Sequence, residues 1–336
     1  MTFRTAVMGS GSWGTVFARL LRDAGGEVTV WGRRAKVVEA INERRENSDY
    51  LPGFTLPEGV RATTDPAEAL AGADFVALAV PAQTLRENLA SWKPLLPPGA
   101  VLVSLMKGVE LGTCRRMSEV IVEVADVPEE RVAVFCGPNL AREVAAGQPA
   151  AAVAACVDEG NAQRLQAATM TPYFRVYTTT DVIGCELGGA VKNNVALCVG
   201  MAVGLGFGDS TRALLMTRGL AETARLGAAL GADEHTFAGL AGMGDLIATC
   251  SSPLSRNRTF GENLGRGMTL EQVIAVTKQT AEGVKSSEAV LELARKHNVE
   301  MPITEVVVAV MHDGLPPAEA ARLLMSRTPK PERYGV

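Results

Sequence analysis

The sequence predicts an α/β N-terminal domain built on a doubly wound, mostly parallel sheet, followed by an all-α C-terminal domain. In the first half, short apolar runs alternate with helical patterns, as in βα units that feed a parallel sheet. From Asp181 onward no comparable β-branched run appears, and the hydrophobic period becomes helical. A length of 336 residues suits roughly two domains, which we place at residues 1–184 and 185–336.

The runs assigned to strands contain mainly Val, Ala and Leu without alternation, which is typical of strands covered on both faces. They lie at Thr5–Met8, Val28–Trp31, Phe75–Ala79, Val101–Ser104, Val132–Cys136, Ala151–Ala155 and Phe174–Tyr177, with a weaker one at Val60–Ala62. In the second half, Asp181 is a candidate N-cap of a long apolar helix that ends in a glycine-rich stretch. Thr269 is the candidate start of another helix.

Composition and charge exclude several classes of protein. With 47% hydrophobic and 21% charged residues, the chain lies near globular averages, which excludes whole-chain disorder or a fibre. The formal net charge is −4 and there is no Lys- or Arg-rich tail, so we expect no nucleic-acid partner. His235, His297 and His312 lack the spacing of metal ligands, and we expect no metal.

Cysteine usage and the apolar segments bear on location. The six cysteines are spread without a CxxC pair, as expected for core thiols of a reducing compartment. The first residues lack the apolar segment of a signal peptide, so we expect a cytoplasmic protein. The most membrane-like stretch, Ile183–Phe207, contains Glu186 and Lys192, which are costly in hydrocarbon. We interpret it as a buried helix and expect no membrane span.

A glycine-rich turn follows the first predicted strand. Gly9, Gly11 and Gly14 form a GxGxxG pattern that leads directly into a helical pattern. The first glycine permits a tight turn, the second lets the backbone approach a pyrophosphate, and the third allows close helix–strand packing. Because the pattern heads a βα series, it predicts a dinucleotide-binding, Rossmann-type domain rather than a plain structural turn.

The end of the second predicted strand bears on the choice of cofactor. An acidic residue there would select the free ribose 2′-hydroxyl of NAD, but the sequence has Arg33 and Arg34 instead. Guanidinium groups suit a 2′-phosphate, so we expect the protein to accept NADP, either as its sole cofactor or in addition to NAD. The alternative is that both arginines belong to a solvated turn.

Two lysines are candidate acid–base groups. Lys107 follows the fifth predicted strand, at the edge where open parallel sheets bind ligands, although it could be an ordinary surface lysine. Lys192 lies in an apolar helix, where burial would lower its pKa towards a range useful for proton transfer. Gly188 and Gly189 would let another backbone or a cofactor approach it closely. Alternatively, Lys192 reaches solvent or pairs with Glu186.

A basic segment in the second half is a candidate phosphate site. Arg256 and Arg258 offer planar forks for a phosphate, and Ser255 and Asn257 add neutral donors for the remaining oxygens. Taken alone, a basic loop of this kind is more often simply solvated.

Eight motifs occur in order across nearly the whole chain. They are GSGSWGT at Gly9–Thr15, MKG at Met106–Gly108, ELGGAVKN at Glu186–Asn193, GLGFGDSTRA at Gly204–Ala213, TRGLAE at Thr217–Glu222, AGMGDLIATC at Ala241–Cys250, SRNR at Ser255–Arg258 and AEG at Ala281–Gly283. Together they resemble the bacterial glycerol-3-phosphate dehydrogenases that use NAD or NADP. The resemblance implies a Rossmann domain, an all-helical domain and an active site between them. It also implies reversible hydride transfer between NAD(P)H and dihydroxyacetone phosphate, a small phosphorylated ketone, giving sn-glycerol 3-phosphate for phospholipid synthesis. The apolar faces of the helical half favour a homodimer.

The resemblance also implies roles for single residues. Lys192 would donate or accept the proton, Lys107 would contact substrate and cofactor, and Asp245 would assist them as a third catalytic group. The positions that match substrate contacts are Lys107, Gly137, Asn193, Asp245, Thr249, Ser255, Arg256 and Asn257. Those that match cofactor contacts are Gly9, Gly11, Ser12, Trp13, Gly14, Arg33, Arg34, Lys107, Ala141, Arg256 and Glu282. The chain departs from the family pattern at Pro138-Asn139-Leu140 and at Val203, which affects local cofactor contacts and a helix cap.

Two alternatives stay open at this point. A related two-domain β-hydroxyacid or ketopantoate-type reductase would share the Rossmann half and the catalytic lysine but bind a carboxylate, leaving the Ser255–Arg258 segment unused. A non-catalytic NADP-binding sensor would keep the Gly9–Gly14 turn and Arg33 but would not need both Lys107 and Lys192.

Overall fold

The computed structural model describes residues 2–277 and 282–332, and the chain divides into two compact units. Unit 1 comprises Met1–Met106 and Met117–Val182, and unit 2 comprises Lys107–Arg116 and Ile183–Val336. The short segment Lys107–Arg116 therefore belongs to unit 2, although strands and helices of unit 1 precede and follow it.

The sheet of unit 1 has eight strands in the described part of the chain. They are β1 (Arg4–Met8), β2 (Glu27–Trp31), β3 (Val60–Thr63), β4 (Phe75–Leu78), β5 (Val101–Ser104), β6 (Val132–Cys136), β7 (Ala150–Cys156) and β8 (Phe174–Thr179). Their order is β3-β2-β1-β4-β5-β6-β7-β8, and all neighbours are parallel except the antiparallel pair β6 and β7. Every predicted strand is present, and the prediction of a doubly wound, mostly parallel sheet is confirmed.

Apolar side chains from both faces of the sheet are buried, because helices cover it on both sides. From β1, Val7 packs into one apolar cluster with Phe17 and Phe75, while Ala6 and Met8 pack into another. The α-helices of this part of the chain are α1 (Ser12–Asp23), α2 (Ala35–Arg44), α3 (Pro66–Leu70), α4 (Leu85–Trp92), α5 (Met117–Ala125), α6 (Ala141–Ala145) and α7 (Glu159–Thr169).

After β8, the described residues form helices without strands, as the change in hydrophobic period predicts. The helices are α8 (Val182–Gly204), α9 (Asp209–Ala229), α10 (Glu234–Ala238), α11 (Asp245–Ser251), α12 (Arg256–Gly265), α13 (Leu270–Val276), α14 (Glu282–Lys296), α15 (Pro302–His312) and α16 (Pro317–Met325). Thr269 caps α13 as predicted, in a reciprocal capping box with Gln272.

Helix α8 contributes side chains to both apolar clusters of unit 2, and it ends at Gly204 as predicted. Within the described residues it is the one helix long and apolar enough to cross a membrane, and 89% of its most apolar window is buried inside the fold. A Cβ on Gly200 would lie 2.0 Å from the carbonyl oxygen of Arg258, and one on Gly261 would lie 2.1 Å from that of Leu197. Helices α8 and α12 therefore touch backbone to backbone.

Candidate active site

The glycine-rich turn between β1 and α1 has the geometry that a pyrophosphate requires. Gly9 has a φ of +138°, and a Cβ there would lie 2.5 Å from the carbonyl oxygen of Ala79. A Cβ on Gly14 would lie 2.1 Å from the carbonyl oxygen of Gly9, so α1 starts in contact with the turn. Nothing described lies within 4 Å of a Cβ added to Gly11. Packing thus requires Gly9 and Gly14, whereas Gly11 leaves open space at the N-terminus of α1, where a phosphate can approach the backbone.

The end of β2 lies beside this turn. The backbone nitrogen of Gly9 donates to the carbonyl oxygen of Trp31 at 3.1 Å, and a Cβ on Gly32 would lie 2.8 Å from Ser10 Oγ. Arg33 and Arg34 follow directly and are exposed. Two exposed cationic side chains therefore follow β2 closely, beside the glycine-rich turn.

Arg34 has partners that the sequence does not reveal. Its Nη1 lies 2.9 Å from Asp49 Oδ2, and its guanidinium carbon lies 4.9 Å from the centre of the Tyr50 ring. The guanidinium is thus shared with a carboxylate instead of standing alone in a solvated turn.

Asn47 supports the turn and was missed by the sequence analysis. Its side-chain nitrogen donates to the carbonyl oxygen of Ser10 and contacts Thr15 Oγ1, both at 2.8 Å, and the residue is 1% exposed. Nearby, Ser12 Oγ donates to the carbonyl oxygen of Tyr50 at 2.7 Å. No local signal marks Asn47, because it lies in a polar loop more than thirty residues after the turn that it supports.

The other predicted ligand contacts of unit 1 follow strands β1 and β6. Ser12 and Trp13 begin α1, where Trp13 is half-buried and packs against Phe17. Gly137 follows β6 with a φ of +140°, and a Cβ there would lie 3.0 Å from the carbonyl oxygen of Ala151. Ala141 is the first residue of α6. The turn after β6 is therefore tight enough to require glycine.

In unit 2, both candidate lysines meet one carboxylate. Lys107 Nζ lies 2.6 Å from Asp245 Oδ2, and Lys192 Nζ donates to the other oxygen, Asp245 Oδ1. Lys192 Nζ also contacts Thr249 Oγ1 at 2.6 Å. Lys192, Asp245 and Thr249 are buried, while the side chain of Lys107 is 23% exposed. The four side chains form a compact cluster with Lys107 at its more accessible side.

Two glycines of α8 make this cluster possible. A Cβ on Gly188 would lie 2.4 Å from the carbonyl oxygen of Ala241, in the helical turn Leu240–Gly244 that leads into α11. A Cβ on Gly189 would lie 3.4 Å from Lys107 Cγ. The expected close approach is thus made by the Ala241 backbone and the Lys107 side chain, which places Asp245 and Lys107 beside Lys192.

Burial and the neighbouring charges shift the pKa values of Lys192 and Asp245. Burial lowers the pKa of Lys192 to about 8, although the Asp245 carboxylate opposes this shift. Burial would raise the pKa of Asp245, but the ammonium groups of Lys107 and Lys192 outweigh it and hold that pKa below its ordinary value. Lys192 can therefore exchange a proton near neutral pH while Asp245 stays ionised.

An ion pair holds the segment that carries Lys107. Arg116 Nη1 lies 2.7 Å from Glu186 Oε2, and the two side chains are 14% and 6% exposed. Val109 and Cys114 of the same segment are buried against α8 and α14. Glu186 thus pairs with Arg116, and Lys192 pairs with Asp245.

Several polar groups of the Ser255–Arg258 segment make hydrogen bonds or ion pairs within the fold. Ser255 caps α12 by accepting a hydrogen bond from the backbone nitrogen of Arg258, whose side chain pairs with Glu262. Asn257 donates to Asn193 Oδ1 at 2.9 Å. Arg256 is exposed at the first position of α12. The side chain of Glu282, a predicted cofactor contact, lies outside the described residues.

Comparisons with known proteins identify the family. Family models match residues 4–162, as the NAD-dependent glycerol-3-phosphate dehydrogenase N-terminus, and residues 181–322, as its C-terminus. A relative from Thermobifida fusca, named glycerol-3-phosphate dehydrogenase (NAD(P)+), is 69% identical over 334 residues, 99% of each chain. The chain belongs to the NAD-dependent glycerol-3-phosphate dehydrogenase family. A relative of the same name from Streptomyces griseus is 68% identical and covers 98% of each chain.

Comparison with solved structures supports the same family assignment. The glycerol-3-phosphate dehydrogenase of Coxiella burnetii matches with a TM-score of 0.92 at 36% identity, over 97% of this chain and 99% of that one. A ketopantoate reductase from Ralstonia eutropha matches at a TM-score of 0.58 and 18% identity, over 95% of this chain and 99% of that one, a likeness of fold alone. The chain is thus an oxidoreductase that acts on a CH–OH group with NAD or NADP, and the reductase and sensor alternatives are wrong. Among the described residues, no three His, Cys, Asp or Glu side chains are grouped to hold a metal ion.

Proposed function

We propose that the chain interconverts dihydroxyacetone phosphate and sn-glycerol 3-phosphate by reversible hydride transfer, and so supplies the glycerol phosphate of membrane lipids. The buried Lys192–Asp245 pair, with Lys107 and Thr249 beside it, is the observation that supports this function most directly. Reduction of a ketone without a metal needs a proton donor close to pH 7, and Lys192 has the lowered pKa that such a donor requires.

The cofactor is assigned to unit 1. We assign the pyrophosphate to the turn formed by Gly9, Gly11 and Gly14 at the start of α1, with Ser12 and Trp13 beside it. Arg33 and Arg34 would face the 2′ end of the adenosine ribose, and Ala141 would line the same sheet edge. When bound, the nicotinamide ring supplies the hydride or takes it up.

The proton is assigned to the cluster in unit 2. Lys192 Nζ would protonate the oxygen of the carbonyl as it becomes an alcohol, and would take the proton back in the reverse direction. Asp245 and Thr249 orient Lys192 through the contacts already described, and the ammonium of Lys107 would stabilise the developing negative oxygen.

The substrate phosphate is assigned to the start of α12. Arg256 would supply a planar, charged fork, and the first turn of α12, capped by Ser255, would add backbone N–H groups. Asn193 and Asn257, joined by a hydrogen bond, would hold the polar end of the substrate near Lys192. Gly137 and Glu282 complete the assignment as ligand contacts from other parts of the chain.

The test is the phosphate dependence of turnover. Purified protein is mixed with dihydroxyacetone phosphate, and NADPH and NADH oxidation are followed separately at 340 nm, with unphosphorylated dihydroxyacetone as the control. We expect oxidation that requires the phosphate. Absence of turnover with both cofactors, in protein shown to bind NADPH, would overturn the proposed reaction.

We also propose the domain roles, assembly and location. Residues 1–184 would bind the dinucleotide and residues 185–336 the substrate. The six cysteines are all buried free thiols, which supports a location in the reducing cytoplasm.

Unit 2 carries an apolar cavity of about 920 Å³, and Phe207, Leu214 and Met325, which line it, are 43%, 45% and 75% exposed. This surface supports a homodimer, and we expect sedimentation velocity to give the mass of two chains; a single-chain mass at micromolar concentration would contradict it.

A further inference from the structure

The loop after α2 joins Arg34 to the glycine-rich turn. The side chain of Asn47 donates a hydrogen bond to the carbonyl oxygen of Ser10, and the backbone oxygen of Tyr50 accepts one from Ser12 Oγ. Between these two positions, Asp49 projects a carboxylate that lies 2.9 Å from Arg34 Nη1. The same short loop therefore supports the proposed pyrophosphate site and places a negative charge at the proposed ribose site.

The charge of Asp49 opposes a phosphate near Arg34. A phosphate monoester carries close to two negative charges at neutral pH. If it approached Arg34, it would either displace the Asp49 carboxylate from the guanidinium or lie within a few ångströms of it. Both outcomes cost binding free energy that the uncharged 2′-hydroxyl of NAD does not lose.

Arg33 does not share this restraint. It is exposed, and no ion pair or hydrogen bond is found for it among the described residues. A 2′-phosphate would therefore meet one unrestrained guanidinium and one that is already partly neutralised. Such a site attracts NADP only moderately and still admits NAD.

We propose that Asp49 is a specificity-determining residue that competes with the 2′-phosphate of NADP for Arg34 and thereby keeps NAD and NADP binding similar. This inference rests on the assignment of Arg34 to the ribose 2′ end. The Arg34 and Asp49 side chains are 50% and 40% exposed, so water screens their interaction and the effect is moderate.

The experiment measures binding without turnover. Isothermal titration calorimetry of NADP+ and NAD+ is carried out on the wild-type protein and on Asp49→Asn, Arg34→Ala and the double variant. We expect Asp49→Asn to raise the ratio of NADP+ to NAD+ affinity about two- to fivefold, the size of an exposed charge interaction. In the Arg34→Ala background the same substitution should raise the ratio by less than twofold. The increase in this affinity ratio caused by Asp49→Asn should also be smaller at 500 mM salt than at 50 mM salt, because salt screens the interaction.

A matched control is Glu58→Gln, which removes another exposed carboxylate of unit 1, paired with Arg45 at 3.4 Å. It should leave the ratio unchanged. An unchanged or lowered ratio in Asp49→Asn, with a lowered ratio in Arg34→Ala, would overturn the role of Asp49 alone. A ratio that does not respond to Arg34→Ala would overturn both this role and the assignment of Arg34 to the 2′ end.

Discussion

Replacing Lys192 by alanine is expected to lower kcat for dihydroxyacetone phosphate reduction by about 10²–10⁴-fold, the usual scale for loss of a general acid. The substitution removes the one ammonium in the described cluster that is both buried and hydrogen-bonded to Asp245 and Thr249. The glycine-rich turn and its supporting loop stay unchanged, so NADPH binding should be preserved. Steady-state kinetics, with NADPH affinity from fluorescence, measure both quantities.

Control experiments distinguish the loss of the proton donor from the loss of a positive charge and from misfolding. Lys192→Arg keeps a positive charge, but a guanidinium does not give up its proton near neutral pH, so this variant should also be slow. Lys285→Ala, which removes an exposed lysine of α14, should behave like the wild type. Circular dichroism and thermal melting establish that the slow variants are folded. A folded Lys192→Ala protein with near wild-type kcat would remove Lys192 from the mechanism.

The pH dependence of the wild-type enzyme provides a second readout of Lys192. Reduction needs the protonated amine, so kcat/KM for dihydroxyacetone phosphate should fall as pH rises through the Lys192 pKa of about 8. Oxidation of sn-glycerol 3-phosphate needs the neutral amine, so its kcat/KM should rise over the same interval. Measurement between pH 7 and 10 avoids titration of the substrate phosphate, whose second pKa is about 6. Equal pH profiles in both directions would contradict the assignment.

Replacing Arg256 by alanine is expected to raise KM for dihydroxyacetone phosphate about 10- to 100-fold, because hydrogen bonds to charged groups contribute about 1.5–3 kcal/mol. A smaller loss in kcat should accompany it, since the phosphate also orients the carbonyl. The decisive measurement is the comparison with unphosphorylated dihydroxyacetone, on which wild type and variant should act equally.

The matched control for Arg256 lies on the same helix. Arg266 is exposed beyond the far end of α12 and pairs with Glu262, so Arg266→Ala should leave both kinetic constants near wild-type values. If Arg256→Ala changed only the affinity for NADPH, Arg256 would belong to the dinucleotide. An equal loss with the phosphorylated and the unphosphorylated ketone would show that Arg256 does not contact the phosphate.

The predicted fold agrees with the structure because its signals are local. The central strands β4, β5 and β6 are short, buried runs of mainly apolar residues, and the close contact between Gly14 and Gly9 lies within one turn. Thr269 caps α13 through Gln272, three residues later. Such short-range patterns are visible in the sequence because the residues involved are near one another in the chain.

The sequence indicates the single residues of the candidate site, but it does not indicate which of them contact one another. Lys192 stood out as a charge in an apolar helix, and Gly188 and Gly189 indicated a close approach. Which groups make that approach was not visible, because Asp245 is 53 residues from Lys192 and 138 residues from Lys107. Likewise the sequence placed Arg34 at the end of β2 but not its ion pair with Asp49, which is formed by a later loop.

The sequence by itself thus determined the parallel sheet, the change to helices, the glycine-rich turn and the choice of Lys107 and Lys192 as candidate acid–base groups. The tertiary structure decided that both lysines share the Asp245 carboxylate, that Glu186 pairs with Arg116 and that Asn47 supports the turn. The physical reason is the range of the interactions. Periodicity and capping act over a few residues, whereas ion pairs and buried hydrogen bonds depend on chain segments that folding brings together.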